Sequence, residues 1–209
     1  MKYTSVLFLI LMLSFSSVAK TTINKSIRID TDERYNGSCT TVNGSINVAD
    51  GAIVRGGCKT VNGRIDVSDE CRVRALKTVN GSIRVGENTE VEDDVESVNG
   101  SIRCQNGVVV RGSVETVNGS VDLVGTEIEF DIETYNGSIT LKENSVVHDD
   151  IVVKDSRGNN SRRKPLKIVI DHSTVEGDII NHEDDFPVIV YLRDGEVKGD
   201  IINAEVVRE

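Results

Sequence analysis

The stretch LKTVNGSIRV, residues Leu76 to Val85, carries the pattern that decides the fold of this 209-residue chain. An Asn-Gly pair in this context recurs along the sequence at steps of 19, 18, 19, 19 and 18 residues, with Thr-Val or a variant before it and Ser-Ile or a variant after it. A period near 20 residues indicates a solenoid, in which each repeat forms one coil and buries its apolar face only against its neighbours.

Aligning the repeats on their asparagines shows which positions face the core. The positions four before, three after and five after the Asn are apolar, and polar residues alternate with them, as in strands with one buried face. A weaker third strand contains Val54, Val73, Val91 and Val110. The predicted fold is all-β: a single-domain parallel β-helix, right-handed, with 18–19 residues and three short strands per coil. Since Asn-Gly also favours hairpins, an antiparallel meander of equal units is the competing interpretation.

The Asn-Gly pair is expected to form a corner between two strands. Gly adopts backbone angles closed to other residues, and Asn tolerates the left-handed region. Identical amides stacked at ~4.8 Å can bond to one another along the axis. Counting the alternation from the apolar column places Thr and Asn inward. The predicted internal ladder comprises Asn43, Asn62, Asn80, Asn99, Asn118 and Asn136 with Thr41, Thr60, Thr78, Thr116 and Thr134.

The residue before each Asn is then expected to face outward. An exposed apolar row of this length is a candidate interface, formed by Val42, Val61, Val79, Val98, Val117 and Tyr135. A bulge at the corner that turns these side chains inward is the alternative, and the sequence leaves both interpretations open.

Two of the four cysteines occupy equivalent positions in successive coils. Cys39 and Cys58 each precede an Asn-Gly pair by four residues. The ~4.8 Å between coils lies within the Cα separations of about 4.4–6.8 Å found in disulfides, so a bridge between them is geometrically natural. The alternative is that both are small buried apolar residues. Cys71 and Cys104 lie at different phases, and we predict no bridge between them.

The first 19 residues are predicted to be a secretory signal peptide. Lys2 is followed by an apolar run from Val6 to Leu13 and by the small residues Ser17 to Ala19, so cleavage is expected after Ala19. An uncleaved anchor is the alternative. No second apolar run follows, so we predict a periplasmic or secreted protein that is not an integral membrane protein.

Residues 20–209 are predicted to form one β-solenoid domain. Regular coils occupy about 36–145, a polar loop spans 155–165, and irregular terminal coils occupy 166–209. A strand from Ile23 to Asp30 and the segment near Val206 are expected to cover the two open ends of the solenoid, since exposed strand edges invite aggregation.

Charge and composition exclude several classes of function. The net charge of −10 argues against nucleic acid as a partner. The basic stretch 157–167 is interpreted as a solvated loop, or else as a contact for an acidic surface. The chain has no Trp and few other aromatics to form a sugar platform. His182 with 183–185, His148 with Asp149 and Asp150, and His172 lack metal-site spacing. We therefore expect no catalytic residues, no metal site and no cofactor.

The Thr-Val-Asn-Gly-Ser-Ile units from Thr41 to Ile139 resemble the adhesin-like family of bacterial β-strand repeats, a domain of largely unknown function in envelope proteins. The later units STVEGDIIN (173–181) and GEVKGDIIN (195–203) look like bactofilins, which are polymerising β-helical proteins of the cytoplasm. The resemblance implies a parallel β-helix and self-association, and it brings no catalytic residues.

The expected function is an exported structural or interaction module of the cell envelope, without catalysis. Its partner would be an envelope protein or glycan, or a second copy of the chain. Two alternatives remain: a self-assembling scaffold like the bactofilins, and a carbohydrate-binding or carbohydrate-active β-helix.

Overall fold

The protein is a β-solenoid whose coils each contribute one short strand to each of three sheets. A computed structural model describes residues 19–155, 165–182 and 186–209, and within these ranges every regular element is a β-strand. No helix in these ranges is long and apolar enough to cross a membrane. Every strand pairing in the three sheets is parallel.

Sheet A contains the strand that precedes each Asn-Gly corner. Its ten strands follow one another along the solenoid axis in the order of the sequence. They are β1 (Ala19–Thr22), β4 (Ser38–Thr41), β7 (Cys58–Thr60), β10 (Leu76–Thr78), β13 (Val95–Ser97), β16 (Val114–Thr116), β19 (Ile132–Thr134), β22 (Ile151–Val153), β25 (Ile179–Asn181) and β28 (Ile201–Ile202).

Sheet B contains the strand that follows each corner, and sheet C contains the third strand of each coil. The strands of sheet B are β2 (Ile27–Ile29), β5 (Ile46–Val48), β8 (Ile65–Val67), β11 (Ile83–Val85), β14 (Ile102–Cys104), β17 (Val121–Val124), β20 (Ile139–Lys142), β23 (Leu166–Asp171), β26 (Val188–Arg193) and β29 (Glu205–Arg208). Those of sheet C are β3 (Arg34–Tyr35), β6 (Ile53–Val54), β9 (Arg72–Val73), β12 (Glu90–Val91), β15 (Val109–Val110), β18 (Glu127–Ile128), β21 (Val146–Val147), β24 (Thr174–Val175) and β27 (Glu196–Val197).

The register places each residue beside its equivalent in the next coil. Leu76 pairs with Val95 in sheet A, and Ile83 pairs with Ile102 in sheet B. These side chains are fully buried, as are Val73, Val91 and Val110 of sheet C. The parallel β-helix prediction, with three strands per coil, is therefore confirmed, and the antiparallel meander is wrong because successive units pair in parallel throughout the described residues.

The irregular terminal coils continue the same three sheets. The step between equivalent residues is 28 from Ile151 to Ile179 and 22 from Ile179 to Ile201. The longer step contains the predicted polar loop, of which residues 156–164 lie outside the described residues.

Residues 1–18 also lie outside the described residues, so the signal peptide and its cleavage after Ala19 stay predictions. Ala19 is the first residue of β1.

The segments expected to cover the open ends are themselves coils. Ile27–Ile29 forms β2, which pairs with β5 in register, and Val206 lies in β29, which pairs with β26. The segments predicted to cover the ends are the first and last strands of sheet B, since both match its spacing and extend it.

The repeating glycines are required by packing rather than by unusual backbone angles. The described residues with positive φ include neither the repeating Asn nor the repeating Gly of the corners, so the left-handed explanation is wrong. Instead, a Cβ added to Gly81 would lie 2.0 Å from the carbonyl oxygen of Gly63, and one added to Gly100 would lie 1.9 Å from that of Gly81. The corners therefore stack backbone on backbone, and only Gly fits.

Gly81→Ala should lower the free energy of unfolding by about 3 kcal/mol, because the new methyl group forces two corners apart. Urea unfolding of the variant measures this. The matched control is Gly57→Ala, whose Cβ would meet nothing closer than Lys59 Cε at 3.5 Å. Equal stabilities for the two variants would contradict the packing argument.

Candidate functional site

The asparagine ladder lies on the outside of the corner between sheets A and B. The Nδ2 of each Asn donates to the Oδ1 of the Asn one coil before it, over 2.8–2.9 Å, from Asn43 donating to Asn24 through to Asn136 donating to Asn118. The predicted side-chain ladder is confirmed. Its predicted inward orientation is wrong, because the chain turns at the Asn and breaks the alternation; Asn43, Asn62, Asn80, Asn99 and Asn118 are exposed.

The threonines of the predicted ladder do face inward and form a separate row. Thr41, Thr60, Thr78, Thr116 and Thr134 are all buried. Thr60 Oγ1 donates to the carbonyl oxygen of Gly44 over 2.9 Å, and Thr78 Oγ1 donates to that of Gly63 over 3.0 Å. Thr116 Oγ1 likewise lies 3.5 Å from the carbonyl oxygen of Gly100, whereas Thr41 donates to Lys25 and Thr134 donates to Gly137 of its own corner. Each hydroxyl thus pairs with a corner carbonyl that a buried apolar side chain would leave unpaired.

The row of valines before the asparagines faces outward, so the bulge alternative is wrong. Val42 is 38% exposed and Tyr135 is 36% exposed, and Val61, Val79, Val98 and Val117 are partly exposed between them. Ile23, at the same position in the first coil, is 67% exposed. This apolar row runs along the outer face of sheet A beside the Asn ladder.

A second outward row of sheet A is charged. It runs, in adjacent register positions, through Lys59, Lys77, Glu96, Glu115 and Glu133. Lys77 pairs with Glu96 and lies 3.5 Å from Asp94, and Glu133 pairs with Lys154 at 2.8 Å. Among the described residues, the side chains of Lys59 and Glu115 make no hydrogen bond and no ion pair. We call this row and the apolar row together the A face.

Glu115 is the most perturbed carboxyl group of the A face. Partial burial, reinforced by the negative charges of Glu96, Glu133 and Asp94, raises the pKa of Glu115 from its ordinary 4.5 to about 7. One oxygen of its neighbour Glu96 is buried and finds no hydrogen-bond partner in the described residues. The carboxylate on the A face that a partner bringing positive charge could pair with is therefore that of Glu115, which is partly exposed.

The cysteines are buried free thiols. Cys39 and Cys58 are register partners, and a hydrogen bond to Cys39, together with burial, raises the pKa of Cys58 well above its usual value. Their neighbouring placement fits a bridge, which stays a prediction. Cys71 and Cys104 lie in different columns, and burial alone raises the pKa of Cys104 to about 12, so its thiol is unreactive.

The histidine-rich segments are not brought together. His148 contacts Glu127 and Glu176 in the coils on either side of it, at 2.9 and 2.8 Å. His172 contacts Asp171, and His182 is exposed beside 183–185, which lie outside the described residues.

Ligand atoms of Asp131, Asp149 and Asp150 lie within 4.8 Å of one another, a placement that the sequence analysis missed. The Oδ1 atoms of Asp131 and Asp150 accept backbone N–H bonds from Asp150 and Asp178 of the following coils.

Asn24 is a further ladder member that the sequence analysis missed. It precedes Asn43 by 19 residues, but Lys25 stands where the other corners have Gly. The interval alone could have identified it.

Comparison with known protein families, with characterised proteins and with solved structures finds no match for this chain. Its function must therefore be argued from the surfaces of the solenoid. The A face is the candidate site, since it combines an apolar row with a charged row in which, among the described residues, Lys59 and Glu115 have no ion-pair partner.

The one-way bonding of the ladder predicts an asymmetric response to Asn→Asp substitution. Asn80→Asp replaces a donor by an oxygen facing Asn62 Oδ1, and should lower the free energy of unfolding by about 1–2 kcal/mol at neutral pH. Asn24 only accepts within the ladder, so Asn24→Asp should be nearly neutral. Urea unfolding of both variants is the measurement, and equal losses would contradict the direction of the bonds.

The raised pKa of Glu115 predicts a pH-dependent loss of stability. A carboxyl group whose pKa is higher in the folded chain favours folding while protonated, so its contribution is complete below about pH 4.5 and is lost as the pH rises through about 7. Glu115→Gln should therefore stabilise the protein by about 1–2 kcal/mol at pH 8, since partial solvation reduces the full effect of the shift, and by little at pH 4.5. Unfolding curves of dilute protein at both pH values test this. A Glu115→Gln gain of the same size at pH 4.5 would contradict it.

Proposed function

We propose that this chain is an exported structural and interaction module of the bacterial cell envelope, adhesin-like in presenting a rigid repeat surface and without catalytic activity. The observation that carries the proposal is the A face, on which a partly exposed apolar row and a charged row run side by side. A contiguous exposed apolar row rimmed by polar residues is typical of an interaction surface. Parallel stacking fixes the spacing of these side chains, so a partner meets a preorganised surface.

Export is supported by the N-terminal sequence. Lys2, the apolar run from Val6 to Leu13 and the small residues before Lys20 have the order of a signal peptide. The register pairing of Cys39 with Cys58 would allow a disulfide to form between them in an oxidising compartment.

A self-assembling scaffold is the second candidate, and the C-terminal end of the rod favours it. Within the described residues, β27, β28 and β29 each pair with a strand on one side only. Ile202 is 45% exposed and Val206 is 40% exposed on these last strands. Unpaired parallel edges of this kind can continue into another copy stacked end to end.

A carbohydrate-binding or carbohydrate-active role has less support. Tyr35 lies in sheet C, Tyr191 lies in sheet B, and Tyr135 follows a strand of sheet A. Three tyrosines on three different sides of the rod do not form a common stacking platform for a sugar. The proposal therefore places the interaction on the A face.

The test is expression of the full tagged chain in a bacterium, followed by cell fractionation and N-terminal sequencing. The proposal expects the protein in the periplasm or medium, beginning at Lys20, and expects it to sediment with washed cell-envelope fragments. Val79→Lys with Val98→Lys should weaken that binding about tenfold by placing unpaired charge in the apolar row. The matched control is Val109→Lys, a partly exposed valine on sheet C. Retention in the cytoplasm, or turnover of an envelope polysaccharide by the purified protein, would overturn the proposal.

A further inference from the structure

The charged row of the A face reverses sign between Lys77 and Glu96. Reading along the axis, the two lysines Lys59 and Lys77 are followed by three glutamates, Glu96, Glu115 and Glu133, each beside the next in register. A twofold axis parallel to the strands, passing between Lys77 and Glu96, would exchange each lysine position with a glutamate position and would place Glu133 opposite Thr40. The row is therefore complementary to itself when a second copy lies antiparallel to the first.

We propose that the A face is a homodimer interface in which two copies pack antiparallel about this twofold axis. Lys59 of one copy then faces Glu115 of the other, and Lys77 faces Glu96. Both contacts occur twice, as twofold symmetry requires. The inference rests on the proposed function, since it names the partner of the same face as a second copy of the chain.

The apolar row follows the same symmetry. Under that twofold rotation, Val79 faces Val98 of the other copy and Val61 faces Val117, while Val42 faces Tyr135. Apolar side chains thus meet apolar side chains along the strip beside the charged row. An interface of this kind has an apolar strip for affinity and charged positions that fix the register.

The two side chains without partners are the ones that this arrangement pairs. Lys59 and Glu115 are both partly buried, and neither makes an ion pair within the part of the chain that the structure describes. Glu96 and Lys77 already pair within one chain, so the pair that dimerisation adds is that between Lys59 and Glu115. Dimerisation therefore satisfies groups that the single chain leaves unsatisfied.

The size of the face predicts a weak dimer. Eight strands of sheet A, β1 to β22, would overlap, giving a contact ~38 Å long and ~15 Å wide. The interface would bury roughly 550 Å² on each copy, about 1,100 Å² in total, at the lower end for specific complexes. We expect a dissociation constant of about 10–100 μM.

Sedimentation velocity on protein purified after expression of the full chain tests the proposal over a concentration series. The native chain should pass from monomer to dimer. Lys59→Glu and Glu115→Lys should each raise the dissociation constant at least about tenfold, because each places two like-charge pairs in the interface. The matched control is Arg84→Glu, an exposed charge reversal on the outer face of sheet B, which should leave the dissociation constant unchanged.

Mixing the two weakened variants separates a direct contact from a folding defect. A Lys59→Glu copy carries two glutamates at these positions and a Glu115→Lys copy carries two lysines, so the heterodimer has both pairs complementary. The 1:1 mixture should dimerise at least as well as the native chain. Failure of the mixture to dimerise would overturn the proposal.

A zero-length carbodiimide cross-link gives an independent readout. The reagent joins the Glu115 carboxylate to Lys59 Nζ as an amide with loss of water. Within one chain these residues lie three coils apart, ~14 Å, so the cross-link must join two copies. If isotope-labelled and unlabelled protein are mixed before cross-linking, mass spectrometry identifies the intermolecular link as a peptide pair with one labelled and one unlabelled member. Absence of the Glu115–Lys59 link from a cross-linked dimer would overturn the antiparallel register.

The outcomes distinguish this inference from the proposed function. A chain that stays monomeric at the highest concentration but still binds envelope fragments through Val79 and Val98 would overturn the dimer and leave the envelope role standing. A chain that dimerises as described but remains in the cytoplasm would support the dimer and overturn the envelope role.

Discussion

The rest of the structure depends on one constraint: each residue has its own equivalent, one coil away, as its nearest neighbour. Parallel in-register pairing imposes this at ~4.8 Å along all three sheets. Apolar side chains, hydroxyls and amides tolerate such self-stacking, and the corner glycines are required by it, since any Cβ there would collide with the backbone of the coil before. Like charges do not tolerate it. The stacked Glu96, Glu115 and Glu133 are one place where the sequence departs from what stability favours, and partial burial together with these like charges raises the pKa of Glu115.

The sequence predicted the architecture because the same constraint appears in it as a period. Columns such as Leu76 and Val95 could be assigned to the core from the sequence, and alternation placed the threonines inward correctly. For the valines, alternation offered the outward orientation as one of two interpretations, and the structure decides between them. The asparagines were placed wrongly because alternation holds only while the chain stays extended, and it ends at the corner. The prediction that the corner glycines adopt left-handed backbone angles failed for a related reason. A repeated glycine in the sequence does not distinguish a requirement of the backbone angle from a requirement of close packing against the neighbouring coil.

The candidate site could be predicted only in part. The Val column was recognisable, whereas the significance of the charged column depends on which side chains already have partners. That Lys77 pairs with Glu96 while Lys59 and Glu115 stay without ion pairs in the described coils follows from side-chain placement, which one sequence does not fix. The conjunction of Asp131, Asp149 and Asp150 was missed likewise, since coil stacking brings together residues that are almost 20 positions apart.

Each coil contacts only the coils beside it. Duplication of one repeat in the gene can therefore change the length of the rod by one coil. Copying one 18- or 19-residue unit in frame would lengthen the molecule by one coil and preserve every existing type of contact. The 28- and 22-residue steps from Ile151 to Ile179 and from Ile179 to Ile201 show that the same stacking also accommodates units of other sizes. A unit inserted between Lys77 and Glu96 would instead separate the lysines of the charged row from its glutamates.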